Sequence, residues 1–108
     1  MKTIIALGSN HNQKENISKA QTLLKQRFKN VKFSDRRWTE PIGITSDKFL
    51  NCIGTLETEM SLTQVIQCLK EIEQTMGDSH ENHQNGKVLI DIDLAQYGEK
   101  IVKEIIWL

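Results

Sequence analysis

The sequence lacks the features that mark secreted, membrane-spanning or nucleic-acid-binding proteins. Its 14 basic and 14 acidic side chains balance, so no net field favours nucleic acid or an anionic membrane surface. Two cysteines, Cys52 and Cys68, are too few for a disulfide framework, and we expect buried free thiols. The apolar run at 3–7 is too short for a signal peptide, and no stretch approaches a transmembrane helix in length. We therefore expect a cytoplasmic protein without nucleic-acid or membrane partners.

The hydrophobic pattern that remains predicts one domain over residues 1–108, since about two-thirds of the unfolded surface is buried at this size. Alternation and helical spacing predict strands at 3–7, 31–38, 49–58, 88–95 and 101–107, and helices from Asn12 to Phe28 and from Ser61 to Met76. The loop 39–48 holds the single proline, and 78–87 contains no aliphatic residue. Leaving aside the last short strand, the order is βαββαβ. This order predicts a ferredoxin-like α+β fold, an antiparallel sheet with two helices on one face.

The second helix has the clearest boundaries. Ser61 and Gln64 form a capping box, in which Ser61 is the N-cap and Gln64 stands at N3. Gly77 follows the last apolar position, where a glycine commonly ends a helix.

Two aspartates interrupt the aliphatic run VLIDIDLAQYG at 88–98. Strand alternation puts Asp91 and Asp93 on the open face of the sheet and the aliphatic residues on the core face. At about 6.5 Å along a strand they repel by about 0.6 kcal/mol in water and about 2.5 kcal/mol at an effective dielectric of 20. A Mg²⁺ ion would reverse that sign, because it favours one or two carboxylates with phosphate oxygens and water. The alternative is two solvated polar residues on an exposed face.

The strand 49–58 brings two further candidates to one face. Phe49 offers an aromatic plane and Asn51 an amide with donor and acceptor, a combination that suits an aromatic heterocycle. The alternative is two ordinary strand residues. Residues Gly8, Ser9 and Asn10 close the first predicted strand and are a third candidate for a binding site. The alternative is a simple turn in which Ser9 or Asn10 caps the first helix.

Five segments together resemble 6-hydroxymethyl-7,8-dihydropterin pyrophosphokinase, the folate-pathway enzyme. They are ALGSN at 6–10, WTEPIG at 38–43, FLNCIGTLET at 49–58, LKEIEQTMG at 69–77 and LIDIDLAQYG at 89–98. Their order and spacing carry the resemblance over residues 4–98. It implies a ferredoxin-like fold and transfer of diphosphate from ATP to the pterin hydroxymethyl group, with two Mg²⁺ ions between the reactants.

The resemblance also implies roles for single residues. Asp91 and Asp93 match the catalytic aspartates that bridge both magnesium ions. Asn51 matches the amide that reads the pterin edge, and Phe49 the aromatic side chain that stacks on the ring. The remaining implied pterin contacts are Gly8, at the floor of the pocket, and the loop positions Thr39, Glu40 and Ile42.

The sequence departs from the family in the segment 77–93, which is rich in arginine in family members. Other residues stand where arginines are expected, and Asn85 stands where a tryptophan covers the pterin; the positions without arginine are Asp78, His80, Gln84 and Val88. Lys70 and Lys87 are the nearest candidate cations for ATP. Family members also continue beyond the last predicted strand, with further phosphate-binding and aromatic side chains.

Three hypotheses follow from these matches and departures. The first is an active pyrophosphokinase that uses Mg²⁺, ATP and a pterin. The second is a non-catalytic relative that keeps a pterin-binding pocket. The third is an interaction module that self-associates through the open sheet face or the apolar C-terminal strand, residues 101–108.

Overall fold

The computed structural model describes residues 1–41 and 46–107, so the predicted site residue Ile42 lies outside the described part. The strands and helices in chain order are β1 (Lys2–Ser9), α1 (Gln13–Arg27), β2 (Lys32–Phe33), β3 (Arg37–Thr39), β4 (Phe49–Glu57), α2 (Leu62–Thr75), α3 (His80–Gln84), β5 (Asp91–Tyr97) and β6 (Lys100–Ile101).

The sheet is antiparallel, with β1 at its centre. The strand order is β2-β4-β1-β5-β6, and β3 also pairs with β4. β1 pairs with β4 on one side and β5 on the other, so the first strand of the chain holds the sheet together. This order, with α1 and α2 packed on one face, confirms the predicted α+β arrangement.

The hydrophobic core lies between that face and the two helices. Ile5 and Leu7 of β1 are nearly inaccessible to solvent, and so are Leu24 of α1 and Leu69 of α2. Alternation along β1 and β4 turns the other side chains to the opposite, open face. Both cysteines are buried free thiols, as predicted: Cys52 in β4 and Cys68 in α2.

The boundaries of α2 follow the sequence prediction. Ser61 Oγ accepts from the Gln64 N–H at 3.2 Å, and Gln64 Oε1 accepts from the Ser61 N–H at 2.9 Å. This reciprocal cap satisfies two backbone donors that have no partner within the helix. Gly77 follows with φ +84°, a left-handed conformation that glycine adopts without strain.

Three element predictions were wrong in extent. The predicted strand 31–38 is two short strands, because the Ser34 hydroxyl accepts from Ile53 N–H at 2.8 Å and interrupts the backbone ladder. The predicted loop 78–87 contains α3, whose N-cap Ser79 accepts from Asn82 N–H. The last strand ends at Ile101, because the next two N–H groups both donate to Ala95 O.

The first helix also starts differently from the predicted alternative. Its N-cap is Asn12, at φ 44°, and no side-chain hydrogen bond caps the helix there. Neither Ser9 nor Asn10 is the cap. Asn10 is instead buried, and its side chain bonds the segment that enters β5.

Candidate functional site

Three adjacent strands bring Gly8, Asn51 and the two aspartates onto one face of the sheet. Gly8 of β1 lies opposite Asn51 of β4 on one side and opposite Asp91 of β5 on the other. Ala6 lies opposite Asp93 in the same way. Directly opposed residues of antiparallel strands share a face, so the amide and the two carboxylates point the same way. Two strand spacings separate Asn51 from Asp91, roughly 10 Å, with only small side chains between them.

These residues line a cavity of about 250 Å³ on the open face. Seven of the ten predicted site residues lie in its wall: Gly8, Thr39, Glu40, Phe49, Asn51, Asp91 and Asp93. Lys70 and Lys87 lie elsewhere, in other grooves.

The amide of Asn51 is held in place from β3. Asn51 is 3 % exposed, and its Nδ2 donates to Thr39 Oγ1 at 2.6 Å and to Arg37 O at 3.4 Å. A Cβ on Gly8 would lie 2.8 Å from Asn51 Oδ1 and 3.5 Å from the Phe49 ring. The absence of a side chain at Gly8 therefore allows the Asn51 amide and the Phe49 ring to pack against the backbone at the floor of the cavity.

The surroundings of the Asp91 carboxylate in β5 disfavour its charged form. Burial, with repulsion from Asp93 and Glu73, raises the pKa of Asp91 to about 7. A buried carboxylate beside a like charge is stabilised by losing its charge or by gaining a cation. The strand thus holds an acidic group close to its ionisation point at neutral pH.

A third carboxylate approaches the same strand from its outer edge. Glu73 of α2 accepts from Ile92 N–H at 2.8 Å, between the two aspartates in sequence. Burial raises the pKa of Glu73, although the Ile92 hydrogen bond opposes that shift. Sequence reasoning missed this residue, since Glu73 lies on a helix in a different sequence segment and only the tertiary fold brings it to β5.

The segment after β6 covers part of the open face, which the sequence did not predict. Lys103 Nζ contacts Asp93 Oδ2 at 3.0 Å, and this ion pair raises the pKa of Lys103. Residues Lys103 to Trp107 all line the cavity. The open face is therefore not bare, and self-association through it stays a prediction.

Comparison with known proteins identifies the protein family. The sequence model of 7,8-dihydro-6-hydroxymethylpterin-pyrophosphokinase (HPPK) matches residues 4–107. The chain belongs to this family. The chain is also 32 % identical over 105 residues to a folate synthesis bifunctional protein of Arabidopsis thaliana. The match covers 94 % of the chain but 22 % of that relative, so the chain spans about a fifth of its length.

Family membership confirms the resemblance of the sequence segments and supports a folate-pathway pyrophosphokinase at the family level. Over residues 1–41 and 46–107, no helix combines the length and apolar character needed to cross a membrane.

The donor set at β5 fits the magnesium ions that HPPK chemistry implies. Asp91 and Asp93 supply hard oxygen ligands, and their mutual repulsion favours a cation between them. No group of three or more His, Cys, Asp or Glu side chains within the described ranges could hold a metal alone. Two carboxylates with substrate phosphates and water are a set that Mg²⁺ commonly accepts.

The two lysines predicted for ATP fall in different places. Lys70 lines a groove along β5 with Glu73, Asp91, Asp93 and Lys103, so it stands next to the aspartates. Lys87 lines a separate groove with His11 and Ser46, among others. Of these two lysines, Lys70 shares a groove with the aspartates and Lys87 does not.

The segment that is arginine-rich in other HPPK members has a structural role here. Asp78 Oδ2 lies 2.6 Å from His83 Nε2, and Asp78 Oδ1 accepts from Leu89 N–H at 3.0 Å. Asn10 Oδ1 accepts from Val88 N–H at 2.6 Å, while Asn10 Nδ2 donates to Gly86 O at 2.8 Å. These hydrogen bonds hold the loop 78–87 against the residues that precede β5.

Proposed function

We propose that the chain transfers diphosphate from ATP to 6-hydroxymethyl-7,8-dihydropterin. The observation that carries the proposal is the row Asn51–Gly8–Asp91, which puts a heterocycle-reading amide and a metal-binding carboxylate on one cavity floor. HPPK membership supports the same reaction.

The proposed reaction needs two substrates side by side. The pterin hydroxyl oxygen forms a bond to the β-phosphorus of ATP, the bond from that phosphorus to the AMP oxygen breaks, and the hydroxyl proton is released. The products are AMP and the pterin diphosphate. Asp91 and Asp93 would hold the Mg²⁺ ions, which neutralise charge on the transferring phosphates.

The pterin would lie at the β4 end of the cavity. Phe49 lines this end and Trp107 lines the same cavity, so two aromatic side chains are available to a flat heterocycle. Asn51 would pair with the pterin edge, held by Thr39 Oγ1 in the orientation that the structure shows. Glu40 and Ile42 are proposed to contribute backbone contacts.

The test is AMP formation from ATP, Mg²⁺ and hydroxymethyldihydropterin. We expect pterin-dependent AMP release that Asp91→Ala and Asp93→Ala each reduce by at least about a thousandfold, as loss of a charge-stabilising group at a reacting centre does. Asp35→Ala is the matched control, because Asp35 is an exposed aspartate outside the cavity. Activity that survives Asp91→Ala would contradict the proposal.

A second candidate is a non-catalytic pterin-binding relative. It is favoured by the loop 78–87, in which Asp78 stands at a position where the family resemblance implies an arginine and pairs with His83. Under this alternative, pterin binds and quenches Trp107 fluorescence, but no AMP forms. Trp107→Phe should remove that quenching, whereas Trp38→Phe should leave it, since Trp38 does not line the cavity.

A further inference from the structure

Four of the five charged side chains in the described lining of the cavity are acidic. Its described lining contains Glu40, Asp91, Asp93 and Glu104, and Lys103 is the one basic residue within that described lining. A polyphosphate entering this cavity meets mostly negative charge. Within the described lining, an anionic substrate can therefore gain a cationic partner from Lys103 alone.

Two backbone hydrogen bonds fix Lys103 over the open face. The register between β1 and β5 shifts between Ile4, which pairs with Gln96, and Ile5, which pairs with Leu94. The extra residue, Ala95, is a bulge whose carbonyl accepts from Val102 N–H at 2.9 Å and from Lys103 N–H at 3.2 Å. Bulges commonly redirect side chains beside functional sites. Here the bulge anchors the backbone from which Lys103 reaches Asp93.

The side chain itself is free to exchange partners. Lys103 is 61 % exposed and Asp93 32 % exposed, so the pair is solvated on one side. Pairs this exposed are weak, because water screens them and the lysine stem is flexible. Lys103 also lines both the cavity and the adjoining groove that contains Lys70. Its ammonium can therefore leave Asp93 and still remain at the junction of the two clefts.

We propose that Lys103 is an exchangeable counter-ion of the site: it pairs with Asp93 while no metal is bound, and pairs with the nucleotide phosphates once a divalent cation occupies that carboxylate. The inference rests on the proposed function for its second half. Lys103, from the segment after β6, brings to the cavity a positive charge that Lys87 of the loop 78–87 does not, because Lys87 lines a separate groove.

The consequence is a pair of effects with opposite signs. Without nucleotide, Lys103 competes with the metal for Asp93, so Lys103→Met should bind Mn²⁺ alone about two- to fivefold more tightly. With metal present, Lys103 attracts the phosphates, so Lys103→Met should bind a non-hydrolysable ATP analogue about tenfold more weakly. Methionine keeps the length of the lysine stem and removes only the charge.

Titration calorimetry on the full chain, with Mn²⁺ alone and then with the analogue in saturating Mg²⁺, measures both effects. Lys103→Arg should restore both affinities. Lys100→Met is the matched control and should change neither, because Lys100 is an exposed lysine of β6 that lines neither cleft. A Lys103→Met protein whose two affinities move in the same direction, or whose Mn²⁺ affinity is unchanged or absent, overturns the inference.

Failure of this inference is separate from failure of the proposed function. If Lys103→Met shifts the Mn²⁺ and analogue affinities in opposite directions but the wild type forms no AMP, the role of Lys103 stands and the catalytic proposal is wrong. If the wild type forms AMP but neither affinity shifts in Lys103→Met, the catalytic proposal stands and the role of Lys103 is wrong.

Discussion

The amide of Asn51 rests on the bare backbone of Gly8: a Cβ at Gly8 would lie 2.8 Å from Asn51 Oδ1. Gly8→Ala should push this amide away and break its 2.6 Å hydrogen bond to Thr39 Oγ1. We expect a loss of about 1–3 kcal/mol in the free energy of unfolding. Pterin affinity, measured by tryptophan quenching, should fall about tenfold or more, because the displaced amide no longer meets the ring edge.

Gly54→Ala is the control for that prediction. A Cβ at Gly54 would lie 2.8 Å from Ile5 Cγ1, a similar clash on the core side of the sheet. It should lower stability comparably and leave pterin affinity of the folded protein unchanged. Equal loss of affinity in both variants would show that Gly8 acts only through stability.

Ionisation of Asp91 should make the metal-free protein less stable as the pH rises. The folded-state pKa of Asp91 is raised from 3.8 to about 7, so the folded state binds this proton more tightly than the unfolded chain. The stability that the folded protein gains from this bound proton is fully present below about pH 4 and is lost as the pH rises through about 7. Urea unfolding at pH 5 and pH 8 in the presence of a chelator measures it.

Asp91→Asn should flatten that pH dependence, because the amide does not ionise. At pH 8 without metal, this variant should be more stable than the wild type by on the order of 2 kcal/mol. Asp35→Asn, at an exposed aspartate, should show the wild-type profile. Mg²⁺ should stabilise the wild type more at pH 8 than at pH 5. A wild type whose stability is flat or rises between pH 5 and pH 8 without metal contradicts the assignment.

Glu73 should stabilise β5 through its carboxylate oxygen rather than through its charge. Glu73→Gln keeps an acceptor for Ile92 N–H and should cost less than about 0.5 kcal/mol, whereas Glu73→Ala should cost about 1–2 kcal/mol. Thermal or urea unfolding would separate the two. Glu71 lies on α2 like Glu73, and Glu71→Ala, which removes an exposed ion pair with Arg27 of α1, should cost less than about 1 kcal/mol.

The hydrogen bonds of the Asn10 side chain should be the main contacts that hold the loop before β5 in place. Asn10→Ala leaves Val88 N–H and Gly86 O without their side-chain partner, at a cost of about 2–4 kcal/mol. Asn10→Asp keeps the acceptor for Val88 N–H and should lose less. Amide hydrogen exchange at Val88 should quicken in the alanine variant first, and unchanged exchange there would refute this role.

Local signals predicted much of the fold. The capping box at Ser61 and the glycine at position 77 bounded α2, since both are determined by neighbours within a few residues. Alternation placed Asp91 and Asp93 on the open face for the same reason. Alternation along 49–58 also singled out Phe49 and Asn51, and the family motifs added Gly8; the structure brings all three into one cavity.

The missed features are contacts that no short sequence window contains. Asn10 and Val88 lie 78 positions apart, and Glu73 and Ile92 lie 19 apart. The bulge at Ala95 has no residue signature, yet it turns the chain after Ile101 and so brings Lys103 to Asp93. The apolar run 101–107 predicts a strand, yet the strand ends at Ile101, because the hydrophobic pattern does not distinguish a strand from a segment that crosses the sheet face.

The position of Glu73 also bears on how the molecule behaves in a crowded solution. An unpaired strand edge invites a strand of another molecule to add to it and start aggregation. On the outer edge of β5, the Ile92 N–H is already engaged by Glu73, and the bulge at Ala95 distorts the next step of the edge. The Glu73 carboxylate, which holds β5 in place, therefore also protects the sheet from intermolecular β-pairing.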